Sequence, residues 1–461
     1  MIPADTFSGQ KVAVMGLARS GLSAVRSLVA GGALVAAWDD AEAARTEAEA
    51  AGIPLTEPRA IDWANTAALV LSPGIPDRHP EPNETASAAR DAGCPILCDV
   101  DLLARARPEA CYIGITGTNG KSTMAALVGH ILDEAGIQNQ VGGNIGAPAL
   151  DFADLGPDGA YVLELSSYQL ERVPALKPQI AVLLNITPDH LDRHGGLDGY
   201  VDAKRMIFGN PGPNAHAVIG VEDSTCRGIS LELMVRGDHK IIPVSGSARA
   251  AGGVYGEAGI LYDDLEYGAV PTIDLRQLAS LPGSHNWQNA AAAYAVARLM
   301  GVDPATIAQA MTTFASLSHR QEIIGSAGQV LYINDSKATN SHAAAKALAC
   351  YDAIYWIAGG IFKEDSLDAI QPHFERMRGI YLIGDAAAVF ERLIDGQAPV
   401  HRCYNLESAL DRAHAEAQAA GEEVAVVLLS PACASFDQFD SFEARGDAFR
   451  TLVQALEGFT A

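Results

Sequence analysis

The sequence has few of the features that mark membrane, secreted or nucleic-acid-binding proteins. No stretch reaches the roughly 18 uninterrupted apolar residues of a membrane span, and the first residues lack the basic region and apolar core of a secretory signal. Basic residues are scarce, and a net charge of −24 would repel phosphate backbones over most of the surface. We therefore expect a cytoplasmic protein that binds neither nucleic acid nor membranes.

Cysteine is also sparse, and its spacing excludes two structural uses. The chain has seven cysteines and no Cys-x-x-Cys pair. An odd number of cysteines without such a pair indicates neither a disulfide framework nor a zinc site. We expect reduced thiols, most of them buried.

The length and the pattern of apolar residues predict several α/β domains. At 461 residues the chain exceeds what one hydrophobic core usually supports, and strand-like runs alternate with helical stretches. We expect a Rossmann-like N-terminal domain at 1–100, a central phosphate-loop ATPase-like domain at 101–316 and a Rossmann-like C-terminal domain at 317–461. Residues 210–280 carry no motif that indicates chemistry.

The most informative segment is the glycine-rich run Gly-Ile-Thr-Gly-Thr-Asn-Gly-Lys-Ser-Thr at 114–123. Glycines let backbone N–H groups approach phosphate oxygens, Lys121 supplies a positive charge, and the Ser122 hydroxyl can ligate Mg²⁺. The strict phosphate-loop pattern requires glycine where Ile115 stands. The position between a strand and a helix nevertheless favours phosphate binding over an ordinary turn, and the chain is predicted to use ATP.

A second glycine-rich turn lies at 16–21, inside a predicted β-α-β unit. The dinucleotide-binding pattern requires glycine where Ala18 stands, so a tight packing turn and a nucleotide site both stay open. Asp39 follows the next strand and favours the binding of a ribose-like or uracil-like group. Residues 72–76 form a further loop after a strand, of the kind that lines the ligand crevice in open α/β sheets.

Acidic and histidine side chains follow two strands of the central region. Glu164 closes a strand-like run, where phosphate-loop proteins place an acidic ligand of Mg²⁺. Residues 185–194 contain two histidines and two aspartates; zinc requires a better-spaced set, and we retain His190 as a second magnesium ligand. Lys204 lies in a helical stretch, where spacing alone predicts a solvated lysine.

Six motifs together resemble those of the Mur ligases of peptidoglycan synthesis, in the same order and over essentially the whole chain. They lie at 117–123, 142–146, 164–170, 185–194, 334–340 and 430–439. The motifs Asp-Ser-Lys-Ala-Thr-Asn and Pro-Ala-Cys-Ala-Ser are most similar to those of the glutamate-adding branch. The resemblance implies a three-domain ligase that joins D-glutamate to UDP-N-acetylmuramoyl-L-alanine through an acyl phosphate, using ATP and two Mg²⁺ ions; we expect a monomer.

The resemblance also implies roles for individual residues. The catalytic group would be Lys121, Glu164, His190 and Lys204. The contacts to ATP would come from Gly117, Thr118, Asn119, Gly120, Lys121, Ser122, Thr123, Asn286, Asn289, Arg320 and Asp335. The magnesium ligands would be Ser122, Glu164, His190 and Lys204, the last as a carbamate formed with CO₂.

Two further sets of residues would bind the substrates to be joined. The uridine nucleotide and its sugar would be bound by Arg19, Ser20, Asp39, Ser72, Gly74, Asn144, Ser166 and Gln169. The glutamate would be bound by Lys337, Thr339, Lys363, Ser435 and Phe442.

Alternatives remain at this stage. A folylpolyglutamate synthetase would share the chemistry, but that family lacks an N-terminal uridine-nucleotide domain. A phosphate-loop kinase or motor ATPase would explain Lys121, Ser122 and Glu164 and leave the motifs at 335–340 and 431–435 without a role. A non-catalytic binding protein is the weakest alternative, since no phosphate or metal position is lost. Residue types alone do not decide between D- and L-glutamate.

Overall fold

The computed structural model describes residues 1–156, 158–266 and 268–461, and it contains three β-sheets accompanied by helices. The predicted α/β class is confirmed. The chain forms two compact units, one of residues 1–277 and 286–313 and the other of residues 278–285 and 314–461. Within the described ranges, no helix combines the length and the apolar character needed to cross a membrane.

The first sheet belongs to the first unit and has four parallel strands. In chain order these are β1 (Lys11–Met15), β2 (Leu34–Trp38), β3 (Thr66–Leu71) and β4 (Ile96–Leu97). Its helices are α1 (Arg19–Ala30), α2 (Glu42–Ala50), α3 (Glu84–Asp91) and α4 (Asp99–Ala106). The strand order is β2-β1-β3-β4, so the loops that follow the three longer strands meet at one edge.

The second sheet, also in the first unit, has nine strands among the residues that the structure describes. They are β5 (Cys111–Thr116), β6 (Asn139–Gly143), β7 (Ala160–Glu164), β8 (Ile180–Leu183), β9 (His216–Gly220), β10 (Lys240–Ser245), β11 (Val254–Glu257), β12 (Ile260–Asp263) and β13 (Val270–Asp274). The order is β13-β12-β11-β10-β9-β8-β5-β7-β6, parallel from β6 to β11 and antiparallel beyond. Strands β9–β13 occupy the segment whose sequence carries no motif.

Within the described ranges, seven α-helices follow the strands of this sheet. They are α5 (Lys121–Glu134), α6 (Ser167–Leu170), α7 (Leu191–His194), α8 (Leu197–Arg205), α9 (Ser224–Arg236), α10 (Ser284–Leu299) and α11 (Pro304–Thr313). Helix α10 has the most unusual composition, because residues 290–297 are mostly alanine and every one is 0% exposed. A helix that is apolar on all sides is a buried helix, and α10 therefore lies in the interior.

The third sheet belongs to the second unit and has seven strands in the order β18-β17-β16-β19-β15-β14-β20. They are β14 (Glu322–Ala327), β15 (Val330–Asn334), β16 (Ile354–Gly359), β17 (Met377–Ile383), β18 (Val400–Tyr404), β19 (Ala425–Leu429) and β20 (Phe459–Thr460). The helices are α12 (Ser341–Leu348), α13 (Ala387–Ile394), α14 (Leu406–Ala420) and α15 (Phe442–Gln454). The sheet is parallel from β18 to β15, and β14 is antiparallel to both of its neighbours.

The cysteines confirm the prediction made from their spacing. All seven are free thiols, and five of them are buried. Burial raises the pKa of these thiols, as for the fully buried Cys98. A protonated thiol is a weak nucleophile, so these cysteines pack as small apolar side chains.

Candidate active site

The glycine-rich loop lies between the central strand β5 and the N-terminus of α5. Ile115, which occupies the glycine position of the strict pattern, is a fully buried residue of β5, so the loop itself starts at Gly117. The Lys121 side chain folds back over the loop, and its Nζ donates to the carbonyl oxygens of Gly117 at 2.8 Å and Thr118 at 3.0 Å. Ser122 and Thr123 follow in the first turn of α5. Backbone N–H groups at a helix N-terminus next to a lysine form an anion site.

Gly120 is held against α10 by close contact. Its φ of 85° is in the left-handed region, and a Cβ at this position would lie 2.3 Å from Asn289 Oδ1. Asn289 is buried and donates through Nδ2 to Asn286 Oδ1 at 3.2 Å. The structure therefore brings two of the predicted ATP contacts, Asn286 and Asn289, to the phosphate loop.

A segment after β8 fixes the loop from the other side. The N–H of Thr118 donates to the Asn185 carbonyl at 2.9 Å, and the N–H of Asn119 donates to Asn185 Oδ1 at 2.9 Å. The Asn185 amide returns a hydrogen bond to the Asn119 carbonyl at 3.2 Å. Sequence reasoning singled out this segment for its histidines and aspartates and as one of six family motifs, but it assigned no role to Asn185. The signal was an asparagine two residues after the end of β8, a strand that neighbours β5.

Glu164 ends β7 and lies beside the loop, because β7 pairs with β5 so that Glu164 is opposite Ile115. The side chain is 2% exposed, and Oε1 accepts a hydrogen bond from Asn144 Nδ2 at 2.9 Å. Oε2 is buried and has no hydrogen-bond partner within the described part of the chain. A buried carboxylate oxygen without a donor is costly unless a cation balances it, so this oxygen fits the predicted magnesium ligand.

The environment of Lys204 differs from the one that its spacing in the sequence predicts. The expectation of a solvated lysine is wrong, since Lys204 is 1% exposed and its Nζ donates to the Gly117 carbonyl at 2.8 Å. Tyr200, one turn earlier on α8, places its hydroxyl 3.0 Å from Thr118 Oγ1. This face of α8 therefore packs on the phosphate loop. Burial, and then the charge of Lys121, holds the pKa of Lys204 well below its usual range.

His190 precedes α7 in a left-handed conformation, with φ of 51°. Its side chain is 51% exposed, and its Nε2 lies 3.6 Å from Asp189 Oδ2. Burial lowers the pKa of His190; the charges of Lys121 and Lys204 lower it further, while Asp189 opposes them. The imidazole is thereby favoured in the neutral form that can ligate a metal. Over the described ranges, no group of three or more His, Cys, Asp and Glu residues is arranged as a complete metal site.

Four of the residues predicted to bind the acceptor line one cavity of about 260 Å³ in the first unit. These are Arg19, Ser20, Asn144 and Gln169. Arg19 donates to the Gly146 carbonyl at 2.7 Å. Gln169 is buried and forms a capping box with Ser166 at the start of α6. The cavity thus joins α1 of the first sheet to the loop after β6 and to α6 of the second sheet.

Asp39, Ser72 and Gly74 do not line this cavity. The Asp39 carboxylate accepts from the N–H groups of Leu17 at 2.6 Å and Ala41 at 2.8 Å. Ser72 Oγ donates to the Gly16 carbonyl at 3.0 Å. These residues stabilise the turns at the carboxyl edge of the first sheet, and Gly74 has no described atom within 4 Å of where a Cβ would stand.

Apart from Arg320, which precedes β14, the predicted residues of the second unit follow three neighbouring parallel strands, β15, β19 and β16. Asp335 is buried and accepts from Ser430 Oγ at 2.7 Å and from the Gln321 N–H at 3.2 Å. Burial raises the pKa of Asp335 to about 7, although these hydrogen bonds and the charge of Arg320 oppose the shift.

Lys337 Nζ lies 3.8 Å from the ring centroid of Phe442. Of the other predicted glutamate contacts, Thr339 and Lys363 are exposed and Ser435 is buried.

Sequence reasoning missed Arg445, a 1% exposed arginine on α15. Its guanidinium donates to Ser336 Oγ and the Ser336 carbonyl, both at 2.9 Å, and to the Cys433 carbonyl at 3.1 Å. A longer contact of 3.5 Å reaches the Gly359 carbonyl. One buried side chain therefore ties together the ends of the three strands that carry the predicted glutamate residues, and no local pattern could have indicated this.

Comparison with known proteins identifies relatives over the full length. A family model described as Mur ligase middle domain matches residues 115–297. A protein of Paramagnetospirillum magneticum (strain ATCC 700264 / AMB-1), named UDP-N-acetylmuramoylalanine--D-glutamate ligase, is 49% identical over 457 residues, covering 99% of each chain. A protein of the same name from Phenylobacterium zucineum (strain HLK1) is 50% identical over 462 residues, covering 99% of this chain and 98% of that one.

Solved structures with the same fold are more distant in sequence. UDP-N-acetylmuramate-alanine ligase from Thermotoga maritima superposes with a TM-score of 0.58 at 17% identity, covering 96% of this chain and 99% of that one. Folylpolyglutamate synthase from Mycobacterium tuberculosis gives a TM-score of 0.56 at 19% identity, covering 76% of this chain and 93% of that one. At these identities the likeness establishes a common fold and does not separate the two chemistries.

Proposed function

Because the chain belongs to the Mur ligase family, we propose that it joins D-glutamate to UDP-N-acetylmuramoyl-L-alanine at the expense of ATP. Full-length relatives at about half identity bear the name of that reaction. The structural observation that carries the proposal is the buried cluster at the phosphate loop. There, Lys121 and Lys204 both bind the Gly117 carbonyl, and one carboxylate oxygen of Glu164 has no hydrogen-bond partner among the residues that the structure describes.

The reaction has two steps, because a carboxylate at neutral pH is a poor electrophile. First, an oxygen of the alanine carboxylate attacks the γ-phosphorus of ATP; the bond from that phosphorus to the ADP oxygen breaks, leaving an acyl phosphate and ADP. The amine of glutamate then attacks the acyl carbon, the carbon–oxygen bond to phosphate breaks, and the nitrogen loses a proton. Lys121 and the first N–H groups of α5 hold the phosphates and offset their charge, so the residues contribute mainly positioning and electrostatics.

We propose that two Mg²⁺ ions bind at the loop, the first held by Ser122 and Glu164 and the second by His190 and a carbamylated Lys204. Mg²⁺ takes few protein ligands and completes its shell with water and phosphate oxygens, which suits this sparse set of side chains. When bound, the ions would neutralise charge on the phosphates. The low pKa of Lys204 favours the neutral amine that reacts with CO₂.

Replacement of Glu164 with glutamine is expected to raise the Mg²⁺ concentration needed for half-maximal activity by about tenfold or more. Glutamine retains an oxygen to accept from Asn144, so the fold is expected to persist while the charge is lost. Magnesium titrations of phosphate release measure the effect, with Glu232→Gln on the exposed side of α9 as control. An unchanged magnesium requirement in the Glu164 variant would contradict its role as a ligand.

We propose that the three sheets divide the substrates among them. Residues 1–100 would bind the uridine nucleotide, 101–316 would bind ATP, and 317–461 would bind glutamate. The cavity that joins Arg19 and Ser20 to Asn144 and Gln169 supports the first assignment, because it connects the first sheet to the loop region of the second. We further propose that the protein acts as a monomer in the cytoplasm, which light scattering coupled to size-exclusion chromatography and cell fractionation would test.

Replacement of Lys363 with alanine is expected to raise the KM for glutamate by about tenfold or more. The reason is that an ammonium group facing a carboxylate of glutamate contributes on the order of 1 kcal/mol or more to binding once the pair is desolvated. The KM for ATP is expected to change by less than about twofold, since ATP is assigned to the central residues. Steady-state kinetics at saturating levels of the other substrates measure both constants, and Lys240→Ala is the exposed control. Equal changes in both constants would contradict the assignment.

The decisive experiment is a phosphate-release assay with each substrate omitted in turn. We expect release only when UDP-N-acetylmuramoyl-L-alanine, glutamate and ATP are all present, and we expect D-glutamate to be the accepted enantiomer. Formation of the amide product is followed by mass spectrometry of the uridine nucleotide. Phosphate release without the acceptor would instead favour a phosphate-loop ATPase, and equal use of L-glutamate would refute the stereochemical assignment.

A further inference from the structure

Two arginines from the helical segments beside the second sheet, the buried Arg172 and the partly buried Arg193, bind the loop that follows β3 of the first sheet. Arg172, which follows α6, is 1% exposed. Its guanidinium donates to the carbonyls of Ser72 at 3.1 Å and Ile75 at 2.8 Å, and to Asp77 Oδ1 at 2.8 Å. The first of these carbonyls belongs to a residue proposed above to bind the uridine nucleotide.

Arg193, the second arginine, approaches the same loop from α7. It donates to the carbonyls of Ile75 at 3.0 Å and His79 at 3.2 Å, and one of its nitrogens lies 3.6 Å from Asp77 Oδ1. Its guanidinium carbon also lies 5.0 Å from the ring centroid of Tyr168, within the range of a cation–π interaction. The ring of Tyr168 is in turn 5.3 Å from the ring of His190.

Asp77 is the common acceptor of these contacts. Burial opposes its ionisation, but the charge and hydrogen bond of Arg172 and the charge of Arg193 hold the pKa of Asp77 below its usual value. An ionised carboxylate enclosed by two planar guanidinium groups has little freedom to move. The loop at 72–79 is therefore fixed to α6 and α7 by side chains as well as by the chain itself.

We propose that Arg193, assisted by Arg172 and Asp77, is a positioning residue that holds the loop at 72–79 in a fixed position relative to His190. The inference rests on the proposed function, because it assumes that the loop binds the uridine nucleotide and that His190 acts on the reacting groups. Arg193 lies three residues after His190 and contacts both the loop and Tyr168, so displacement of the loop would be transmitted to the imidazole. Misplacement by about 1 Å can lower a rate by about a hundredfold.

Arg90 provides a matched control within the same cluster. It also bonds to Asp77, through the backbone carbonyl and through Oδ2 at 3.5 Å. However, Arg90 lies on α3, which belongs to the same sheet as the loop. Removing Arg90 takes a cation from Asp77 but leaves the connection between the loop and α7 intact.

Kinetic comparison of Arg193→Gln with Arg90→Gln tests the proposal. We expect Arg193→Gln to lower kcat by about tenfold or more at saturating substrates, while the KM for ATP changes by less than about twofold. Arg193→Lys should restore less than about half of the loss, because an ammonium does not reproduce the planar fork. Arg90→Gln is expected to stay within about twofold of the wild type. Similar kcat losses in the Arg193 and Arg90 variants, or a loss of melting temperature with kcat unchanged, would overturn the inference.

A binding experiment separates this inference from the proposed function. NMR spectra of protein labelled with ¹⁵N-histidine report on the ring of His190, and the His190→Gln variant assigns its signals. Addition of UDP alone is expected to shift these signals in the wild type and in Arg90→Gln but not in Arg193→Gln. This readout needs no turnover, so an inactive wild type with the expected shifts would refute the ligase function and support the coupling. Shifts of equal size in Arg193→Gln, or no shift in the wild type, would overturn the coupling.

Discussion

Replacement of Lys204 with alanine is expected to lower kcat by about a thousandfold, an effect of the size seen when one preorganised electrostatic group is removed from an active site. The structure supplies the physical reason, since Nζ is buried beside the phosphate loop and its pKa is well below the usual range. If the neutral amine reacts with CO₂ to give a carbamate and a proton, the variant has lost an acidic group. Short carboxylic acids such as formate or acetate should then restore part of the rate.

The controls for Lys204 separate charge from packing. Lys177→Ala removes an exposed lysine of the same unit and is expected to leave kcat unchanged within about twofold. A full rate in Lys204→Ala, or a loss that added acid cannot relieve while the fold is intact, would count against the carbamate.

Stability provides a second prediction at the same residue. The pKa of Lys204 is lower in the folded than in the unfolded chain. Below the unfolded pKa of about 10.4, the unfolded chain therefore binds more protons than the folded chain, and this difference destabilises the native state. Lys204→Met is therefore expected to increase the free energy of unfolding at pH 8 by about 1 kcal/mol or more in bicarbonate-free buffer. The gain should shrink as the pH rises toward 10.4. Denaturant titrations at several pH values measure it.

Replacement of Gly120 with alanine is expected to raise the KM for ATP and lower kcat, with a combined loss in kcat/KM of about a hundredfold. The added Cβ would lie 2.3 Å from Asn289 Oδ1. Asn289 is buried on the tightly packed helix α10, so the loop rather than the helix is expected to move. The N–H groups that face the phosphates would then be displaced. Steady-state kinetics and direct binding of ATP measure the loss.

Gly136 is the matched control for Gly120. It follows the C-terminus of the same helix, α5, with φ of 73°, and no described atom lies within 4 Å of its missing Cβ. Gly136→Ala therefore introduces left-handed strain of about 1 kcal/mol without a steric clash. If Gly120→Ala and Gly136→Ala lowered kcat/KM equally, the loss would come from reduced stability of the fold. The contact between Gly120 and Asn289 would then have no bearing on ATP binding.

The sequence predicted those features that depend on neighbours along the chain. The strand predicted at 11–15 is found as β1, and the phosphate loop lies between a strand and a helix as its glycines indicated. Glu164 was placed correctly at a strand end because a strand is a local pattern. Its proximity to the loop then follows from the parallel arrangement of β5 and β7.

Features that depend on distant segments were not predictable in this way. Asp77 and Arg172 are 95 positions apart, and their hydrogen bond requires the two sheets to be assembled. Arg445 contacts loops from three strands, although its own surroundings are those of an ordinary helix. Lys204 has the same helical spacing as a surface lysine, and only the packing of α8 on the loop buries it. The role that the family resemblance implies for Lys204 stays a prediction.

The packing of α10 bears on how readily an inhibitor of this protein could be evaded by mutation. Its alanine run at 290–297 has no exposed side chain, and adding even one or two methylene groups to such a core typically costs about 1–3 kcal/mol. The same helix presents Asn289 to Gly120, where a larger side chain is excluded. A compound that contacts the loop where Asn289 meets Gly120 would therefore meet a position with few tolerated substitutions, because the helix behind it is closely packed. Resistance would have to arise from the opposite side of the site or from changes in expression.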